Sequence, residues 1–179
     1  MNSEGLVIWI TGLSGSGKTT LSQHVTSQLR EQHISAIFLD GDELREVLGG
    51  SMSEPNSYGR GARLLLAKRY SLLSRLLSSQ GHTVIVATVS LFREVHEWNR
   101  QNIPNYFEVY LRVPLDELRR RDPKGIYRDF DDGKLENVAG LDLGIDEPES
   151  PDWVVEFDAF RTPESIAQEL LTRAREEKK

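Results

Sequence analysis

One segment near the start of the chain combines residue types and spacing that suit phosphate binding. Gly12-Leu13-Ser14-Gly15-Ser16-Gly17-Lys18-Thr19 fits the pattern G-x-x-x-x-G-K-[ST] and lies between an apolar run and a helical pattern. Glycines let the backbone curl around phosphates and point its N–H groups at them, and the N-terminus of the next helix adds positive potential. A plain glycine-rich turn is the alternative. The complete pattern in this context instead predicts a nucleotide phosphate site that extends to Thr20.

The last residues of this segment, called the phosphate loop below, predict chemistry as well as binding. Lys18 is expected to reach the β- and γ-phosphates, and the Thr19 hydroxyl is expected to ligate Mg²⁺. ATP and Mg²⁺ are therefore the predicted cofactors. Phosphoryl transfer at such a site depends mostly on positioning and charge neutralisation. A regulatory nucleotide switch without an acceptor is the competing class of function.

A second cluster of charged residues follows the second predicted strand. Asp40, Asp42 and Arg45 could hold magnesium, accept a proton from a hydroxyl and bind an anionic substrate. The alternative is a turn at Asp40 and Gly41, with Asp42 as the N-cap of the next helix. Ligands in parallel α/β sheets bind at the carboxyl ends of the strands, where the phosphate loop also lies. This placement favours a functional cluster, in which either carboxylate could be the base.

Ser90, Phe92 and Arg93 follow the third predicted strand and are expected at the substrate pocket. Three roles are open for Ser90: nucleophile, hydrogen-bond donor to substrate, or N-cap of the next helix. The cap is favoured because a glutamate, here Glu94, commonly accompanies a capping serine. Arg93 could bind substrate or pair with Glu97 one turn on, and substrate is favoured.

The elements that must position these residues alternate between strands and helices. Apolar runs at 6–11, 36–40, 83–89, 106–113 and 153–157 predict strands. Helical patterns cover 19–32, 42–48, 63–79, 92–102, 115–121 and 163–179, the last with Thr162 as N-cap and Pro163 in its first turn. This alternation predicts a three-layer α/β fold with a five-stranded parallel sheet.

A long irregular segment at 122–150 is predicted to be a lid. A lid would exclude the water that otherwise hydrolyses the nucleotide. Its basic residues, Lys124, Arg128 and Lys134, could neutralise phosphate charge on closure. For Tyr127 and Phe130, packing within the lid is the favoured role. Tyr58, in a separate turn-rich segment, could stack on a base.

Composition sets the outer limits of function. The 179 residues are 38% hydrophobic and 28% charged, with a net charge of −6 and no cysteine. One domain, 1–179, is expected. The acidic balance disfavours binding to a nucleic acid polymer, and the lack of cysteine excludes disulfides and thiolate sites. Without a predicted signal peptide or membrane span, the expected location is the cytoplasm.

Together these motifs resemble the adenylylsulfate (APS) kinase family. The quoted likeness comprises the phosphate loop, Leu39-Asp40-Gly41-Asp42 with Arg45, Ser90-Leu91-Phe92-Arg93-Glu94, Glu108-Val109-Tyr110, Val113-Pro114-Leu115, Arg121-Asp122-Pro123-Lys124-Gly125-Ile126-Tyr127, and Glu147-Pro148 ahead of Pro151. The resemblance implies transfer of the ATP γ-phosphate to the 3′-hydroxyl of APS, giving PAPS, with magnesium. A homodimer is expected.

The resemblance also implies roles for individual residues. Asp40 and Asp42 would lie near magnesium and the attacking hydroxyl, with Thr19 and Asp42 as metal ligands. Arg45 and Arg63 would contact the anionic groups of the substrate. Lys124 would act under the closing lid. Ser90 matches a serine that is phosphorylated in some members of the family.

Three positions depart from the APS kinase pattern. The family places phenylalanines on both faces of the APS adenine, where this chain has Tyr58 and Val138, and an asparagine where it has Leu66. Tyrosine can stack on a base, but valine offers no ring face. APS remains the predicted acceptor. The alternative resemblance is to the cytidine diphosphoramidate kinases of capsule biosynthesis, because a smaller pyrimidine would fit better beside Val138.

Overall fold

The apolar runs form one parallel sheet in the computed structural model, which describes residues 4–48 and 59–176. The strands are β1 (Val7–Thr11), β2 (Ala36–Asp40), β3 (Thr83–Thr88), β4 (Tyr106–Arg112) and β5 (Trp153–Glu156). Their spatial order is β2-β3-β1-β4-β5. Every residue of β1 is buried, because helices cover both faces of the sheet at its centre.

Seven helices are described on and around this sheet. They are α1 (Lys18–Glu31), α2 (Gly41–Leu48), α3 (Arg60–Ser79), α4 (Arg93–Asn102), α5 (Leu115–Arg121), α6 (Ile126–Asp131) and α7 (Pro163–Glu176). Alternate residues of β1 point to opposite faces: Ile8 and Ile10 pack with α1 and α7, whereas Val7 and Trp9 pack with α3 and α4. The three-layer arrangement predicted from the sequence is confirmed.

The strand register places the functional segments side by side. Thr11, the last residue of β1, pairs with Thr88 of β3 and with Tyr110 of β4, and Asp40 of β2 pairs with Ala87. The phosphate loop, the acidic cluster and the segment after β3 therefore leave the same edge of the sheet. This is the edge at which the sequence predicts the site.

Most predicted boundaries agree with the structure, with one omission. The Thr162 hydroxyl accepts the Ser165 N–H, as expected of the N-cap of α7. The omission is α6, which lies inside the predicted lid. Its first turn is held by Asp122, whose carboxylate accepts the N–H groups of Tyr127 and Arg128. Tyr58 lies outside the described residues, and within the described ranges no helix is long and apolar enough to cross a membrane.

Candidate active site

The phosphate loop is shaped by three glycines with positive φ angles. Gly12, Gly15 and Gly17 have φ values of 151°, 79° and 98°. A Cβ atom at Gly12 would lie 2.8 Å from the Leu111 carbonyl oxygen, so a larger residue would displace the loop. Because α1 begins directly after Gly17, the loop curls over the N-terminus of that helix, a geometry suited to an anion.

The side chain of Lys18 extends back across the phosphate loop. Its Nζ donates to the Leu13 carbonyl oxygen at 2.7 Å and lies 3.5 Å from Ser16 Oγ. Burial and the nearby charge of Lys124 lower its pKa to about 8, while Asp42 and Asp40 act in the opposite direction. The ammonium is thus a partly desolvated cation, and an incoming phosphate would relieve its unfavourable environment.

Thr19 and the acidic cluster supply oxygen atoms beside this cation. The Thr19 hydroxyl donates to Asp40 Oδ2 at 2.7 Å, and Asp40 Oδ1 accepts the Asp42 N–H at 2.9 Å. Asp40 therefore holds the start of α2, the role that sequence reasoning offered to Asp42. Hydroxyl and carboxylate oxygens suit Mg²⁺. Among residues 4–48 and 59–176, no three His, Cys, Asp or Glu side chains form a group that could hold a metal ion.

The side chain of Asp42 points to the predicted lid and does not cap helix α2. Its carboxylate forms an ion pair with Lys124 Nζ, although the two residues are 82 positions apart. Burial acts to raise the pKa of Asp42, but the hydrogen bond and charge of Lys124, with Arg45 and Lys18, lower it overall. The carboxylate stays ionised at neutral pH, as a magnesium ligand or proton acceptor must.

These residues line one cleft of about 750 Å³. Among the described residues it brings together twelve that were predicted for the site: Ser14, Gly15, Gly17, Lys18, Thr19, Thr20, Asp40, Asp42, Arg45, Arg63, Lys124 and Val138. Arg45 and Arg63 also line a smaller pocket at the end of β3, together with Leu66, Ser90 and Phe92. Residues predicted to bind the donor and residues predicted to bind the acceptor therefore line two adjoining pockets that share Arg45 and Arg63.

Ser90 takes a different place from the one that sequence reasoning favoured. It is buried, has a φ of 22°, and its hydroxyl lies 2.7 Å from the Thr88 hydroxyl. The N-cap of α4 is Phe92, so the prediction of Ser90 as the cap is wrong. The hydroxyl pair holds Ser90 at the end of β3, where it lines the smaller pocket.

Arg93 is absent from the described residues that line the cleft and the smaller pocket. Its guanidinium pairs with Glu149 at 3.1 Å and its backbone N–H donates to Asp146. The structure pairs it with these acidic residues at the end of the lid rather than with Glu97, and its role in substrate binding stays a prediction. Phe92 does line the smaller pocket, with the Arg60 guanidinium 5.0 Å from its ring centroid.

Val138 is held at the cleft by a small turn in the lid. Asp142 accepts the N–H groups of Val138 and Asn137 at 2.6 and 2.7 Å, and Arg63 donates to the Asn137 carbonyl oxygen at 2.8 Å. Val138 is 4% exposed. An aliphatic side chain therefore lines the cleft at the position where the resemblance implied the loss of an aromatic ring.

Two residues outside the predicted site also contact the phosphate loop. The Tyr127 hydroxyl donates to the Ser14 carbonyl oxygen at 2.8 Å, so this side chain packs on the loop instead of only within the lid. Arg121 extends over the Phe157 ring, 4.9 Å from its centroid, at one side of a cavity of about 330 Å³ next to Gly17 and Thr20. The available signal was an arginine two residues before Pro123, in a segment shared with the APS kinase family, but the sequence does not show which way its side chain points.

A parallel sheet with a glycine-rich phosphate loop, an acidic strand end and a covering lid segment defines a P-loop kinase. The family model for adenylylsulphate kinase matches residues 4–156. The chain belongs to the adenylylsulphate kinase family, which confirms the resemblance.

Similar proteins represent two activities. The chain is 39% identical over 150 residues to a cytidine diphosphoramidate kinase from Campylobacter jejuni, covering 84% of this chain and 85% of the relative. It is 34% identical to a probable adenylyl-sulfate kinase from Pyrococcus abyssi, with 97% of each chain covered. The structure of the Mycobacterium tuberculosis APS kinase in complex with AMPPNP and APS superposes with a TM-score of 0.86 at 32% identity, over 96% of this chain and 98% of that one.

Proposed function

We propose that the protein transfers the γ-phosphoryl group of ATP to the ribose 3′-hydroxyl of adenylylsulfate. The observation that carries this proposal is the meeting of Lys18, Thr19, Asp42 and Lys124 in one cleft, between the phosphate loop and a pocket lined by Arg45 and Arg63. A nucleotide switch needs the loop but does not need the acidic cluster, the lysine of the lid and an arginine-lined pocket together.

The donor nucleotide would lie along the phosphate loop. The loop amides and Lys18 would hold the phosphates, as the N-terminus of α1 favours. The cavity of about 330 Å³ adjoins this end of the loop and offers the Arg121 guanidinium and the Phe157 ring as its polar and apolar walls. A purine base fits such a lining because guanidinium and aromatic groups both stack on bases.

The residues of the cleft divide the transfer step between them. Thr19 and Asp42 would hold magnesium, which would neutralise phosphate charge when bound. The second oxygen of Asp42 would accept the proton of the acceptor hydroxyl as its oxygen attacks the γ-phosphorus and the bond to the β,γ-bridging oxygen breaks. Lys124 would exchange its ion pair with Asp42 for the transferring phosphoryl oxygens. Asp40, bonded to Thr19, would act by positioning.

A cytidine diphosphate-linked acceptor is the second candidate. Leu66 and Val138 present aliphatic groups where APS kinases present an asparagine and a ring, and the Campylobacter jejuni relative at 39% identity is a cytidine diphosphoramidate kinase. The arginines would serve either acceptor, because both carry anionic groups. The aliphatic wall removes the stacking surface that favours adenine.

A coupled assay of ADP release with purified protein, MgATP and each acceptor tests both candidates. We expect release that depends on acceptor and that is faster with adenylylsulfate. Faster release with the cytidine-linked acceptor would select the second candidate. Release at the same rate without acceptor would refute both and indicate an ATPase or a switch. Product analysis by ³¹P NMR would show whether the 3′-oxygen carries the new phosphate.

The family resemblance further supports a homodimer acting in the cytoplasm, where ATP is available. Light scattering tests the assembly against the chain mass of 20.3 kDa. A mass of twice that value is expected, and a monomer at micromolar concentration would contradict it.

A further inference from the structure

The lid segment contacts the phosphate loop from outside at two consecutive residues. Leu13 packs against Gly140, where a Cβ atom would lie only 2.9 Å from Leu13 Cδ1. The Ser14 carbonyl oxygen accepts the Tyr127 hydroxyl at 2.8 Å. Only the second contact fixes the direction of a backbone group of the loop.

That direction matters because of peptide geometry. The peptide bond between Ser14 and Gly15 is trans, so its C=O and N–H point in opposite directions. With the carbonyl held toward Tyr127 on α6, the Gly15 N–H points to the opposite side, into the cleft that Gly15 lines. A rotated peptide would present the carbonyl oxygen to the phosphates and repel them. The φ of 79° at Gly15 shows that this residue is free of the steric restriction that would otherwise oppose such a rotation.

Tyr127 is well suited to hold the peptide. It is 1% exposed, and burial raises its pKa to about 12, so the hydroxyl remains a donor at any pH at which the enzyme would work. Asp122 anchors the backbone of Tyr127 at the start of α6. Lys124, three residues earlier, pairs with Asp42. One short stretch of the lid thus reaches both the phosphate loop and the acidic cluster.

We propose that Tyr127 is a positioning residue that holds the peptide between Ser14 and Gly15 in its phosphate-binding orientation. Through Tyr127 the lid then contributes to donor binding by way of the loop backbone, without this side chain touching the nucleotide. This inference rests on the proposed function only in taking the loop as the site of the ATP phosphates.

The test compares Tyr127→Phe with Tyr106→Phe. Both substitutions remove one buried phenol hydroxyl, but Tyr106 lies at the start of β4, at the edge of the sheet opposite to the phosphate loop, and donates to Glu108. Binding of inorganic tripolyphosphate and of MgADP is measured by calorimetry without acceptor, and thermal unfolding is recorded for each variant. Adenosine, which carries no phosphate, serves as the third ligand.

For Tyr127→Phe we expect tripolyphosphate and MgADP to bind about five- to tenfold more weakly, because the hydrogen bond that orients the peptide before binding is lost. The affinity for adenosine should not change. Tyr106→Phe should bind all three ligands as the wild type does, even where its melting temperature falls. Unchanged tripolyphosphate affinity in Tyr127→Phe, or an equal loss in Tyr106→Phe, would overturn the inference alone. Absence of tripolyphosphate binding in the wild type would overturn the proposed function as well.

Discussion

The donor side of the cleft is built from consecutive residues, whereas the acceptor side is assembled from distant segments. Gly12 to Thr20 curl over one helix, and their geometry follows from local glycine conformations. The acceptor side combines Arg45 of α2, Arg63 of α3, Ser90 after β3 and Val138 of the lid. A binding loop made of consecutive residues keeps its chemistry when other parts of a protein change. A pocket assembled from distant segments can change its substrate specificity one residue at a time.

The largest effect on activity is expected when the phosphate loop loses the ammonium group of Lys18. Lys18→Ala should lower kcat/KM by on the order of 10³-fold, because charge stabilisation dominates phosphoryl transfer. The fold should be kept, since burial of this ammonium is itself unfavourable. Steady-state ADP release and thermal unfolding measure the two quantities.

Lys68→Ala provides the control for Lys18→Ala, because Lys68 is exposed on α3 and is not among the described residues that line the cleft. It should leave kcat/KM unchanged. Activity of Lys18→Ala within tenfold of the wild type would contradict the donor-side assignment.

The second prediction concerns the contact that joins the two sides. Lys124→Ala should reduce kcat by roughly 10²-fold, as expected when one preorganised charge is removed from the transition state. KM for ATP should change less, because Lys18 and the loop amides still hold the phosphates. Lys134→Ala is the matched control: Lys134 lies in the same lid segment and pairs with the nearby Asp132 at 2.8 Å. Equal losses in both variants would indicate a general effect of lid charge.

The difference between local and assembled structure also explains what sequence reasoning could predict. The phosphate loop, the acidic strand end and the order of strands depend on patterns within a few residues or on a general rule for parallel sheets. The contacts of Arg93 with Asp146 and Glu149 could not be predicted, because these partners lie more than fifty positions along the chain.

Ser90 and Tyr127 show the same limit. A serine before a helix suggests a cap, but the hydroxyl of Thr88 binds Ser90 and the helix begins later. The sequence marks Tyr127 as an aromatic residue of the lid without indicating that it reaches Ser14, 113 positions earlier. Helix α6 was missed because a six-residue helix has little periodicity and takes its N-terminal hydrogen bonds from Asp122.

The third prediction tests whether the acceptor side sets specificity one residue at a time. The double variant Leu66→Asn/Val138→Phe restores the family pattern at both described departures. It should raise the ratio of kcat/KM for adenylylsulfate over the cytidine-linked acceptor by roughly 30-fold, since one aromatic stacking contact is worth about 1–3 kcal/mol per base. The affinity for MgADP should stay constant, because the donor side is untouched. A fall in kcat/KM for both acceptors together would show only that the buried turn around Val138 had been disrupted.

The smallest expected effect is the pH dependence of phosphate binding on the donor side. Because the pKa of Lys18 lies near 8 in the free protein, the cation that binds phosphate is lost as the pH rises through that value. Phosphate binding restores the charged form, so tripolyphosphate affinity should fall about tenfold between pH 7 and pH 9. Stability of the unliganded protein should move the other way over the same interval: the folded-state pKa lies below the unfolded value of 10.5, and deprotonation relieves the cost of the buried charge.

Lys124→Ala sharpens this prediction because Lys124 is one cause of the lowered pKa of Lys18. Removing it also leaves Asp42 free to act on Lys18, so the midpoint of the pH profile for tripolyphosphate binding should move upward. Calorimetry from pH 7 to pH 10, with Lys134→Ala as control, measures the shift. A midpoint that is the same in all three proteins would show that the lid does not influence the donor side electrostatically.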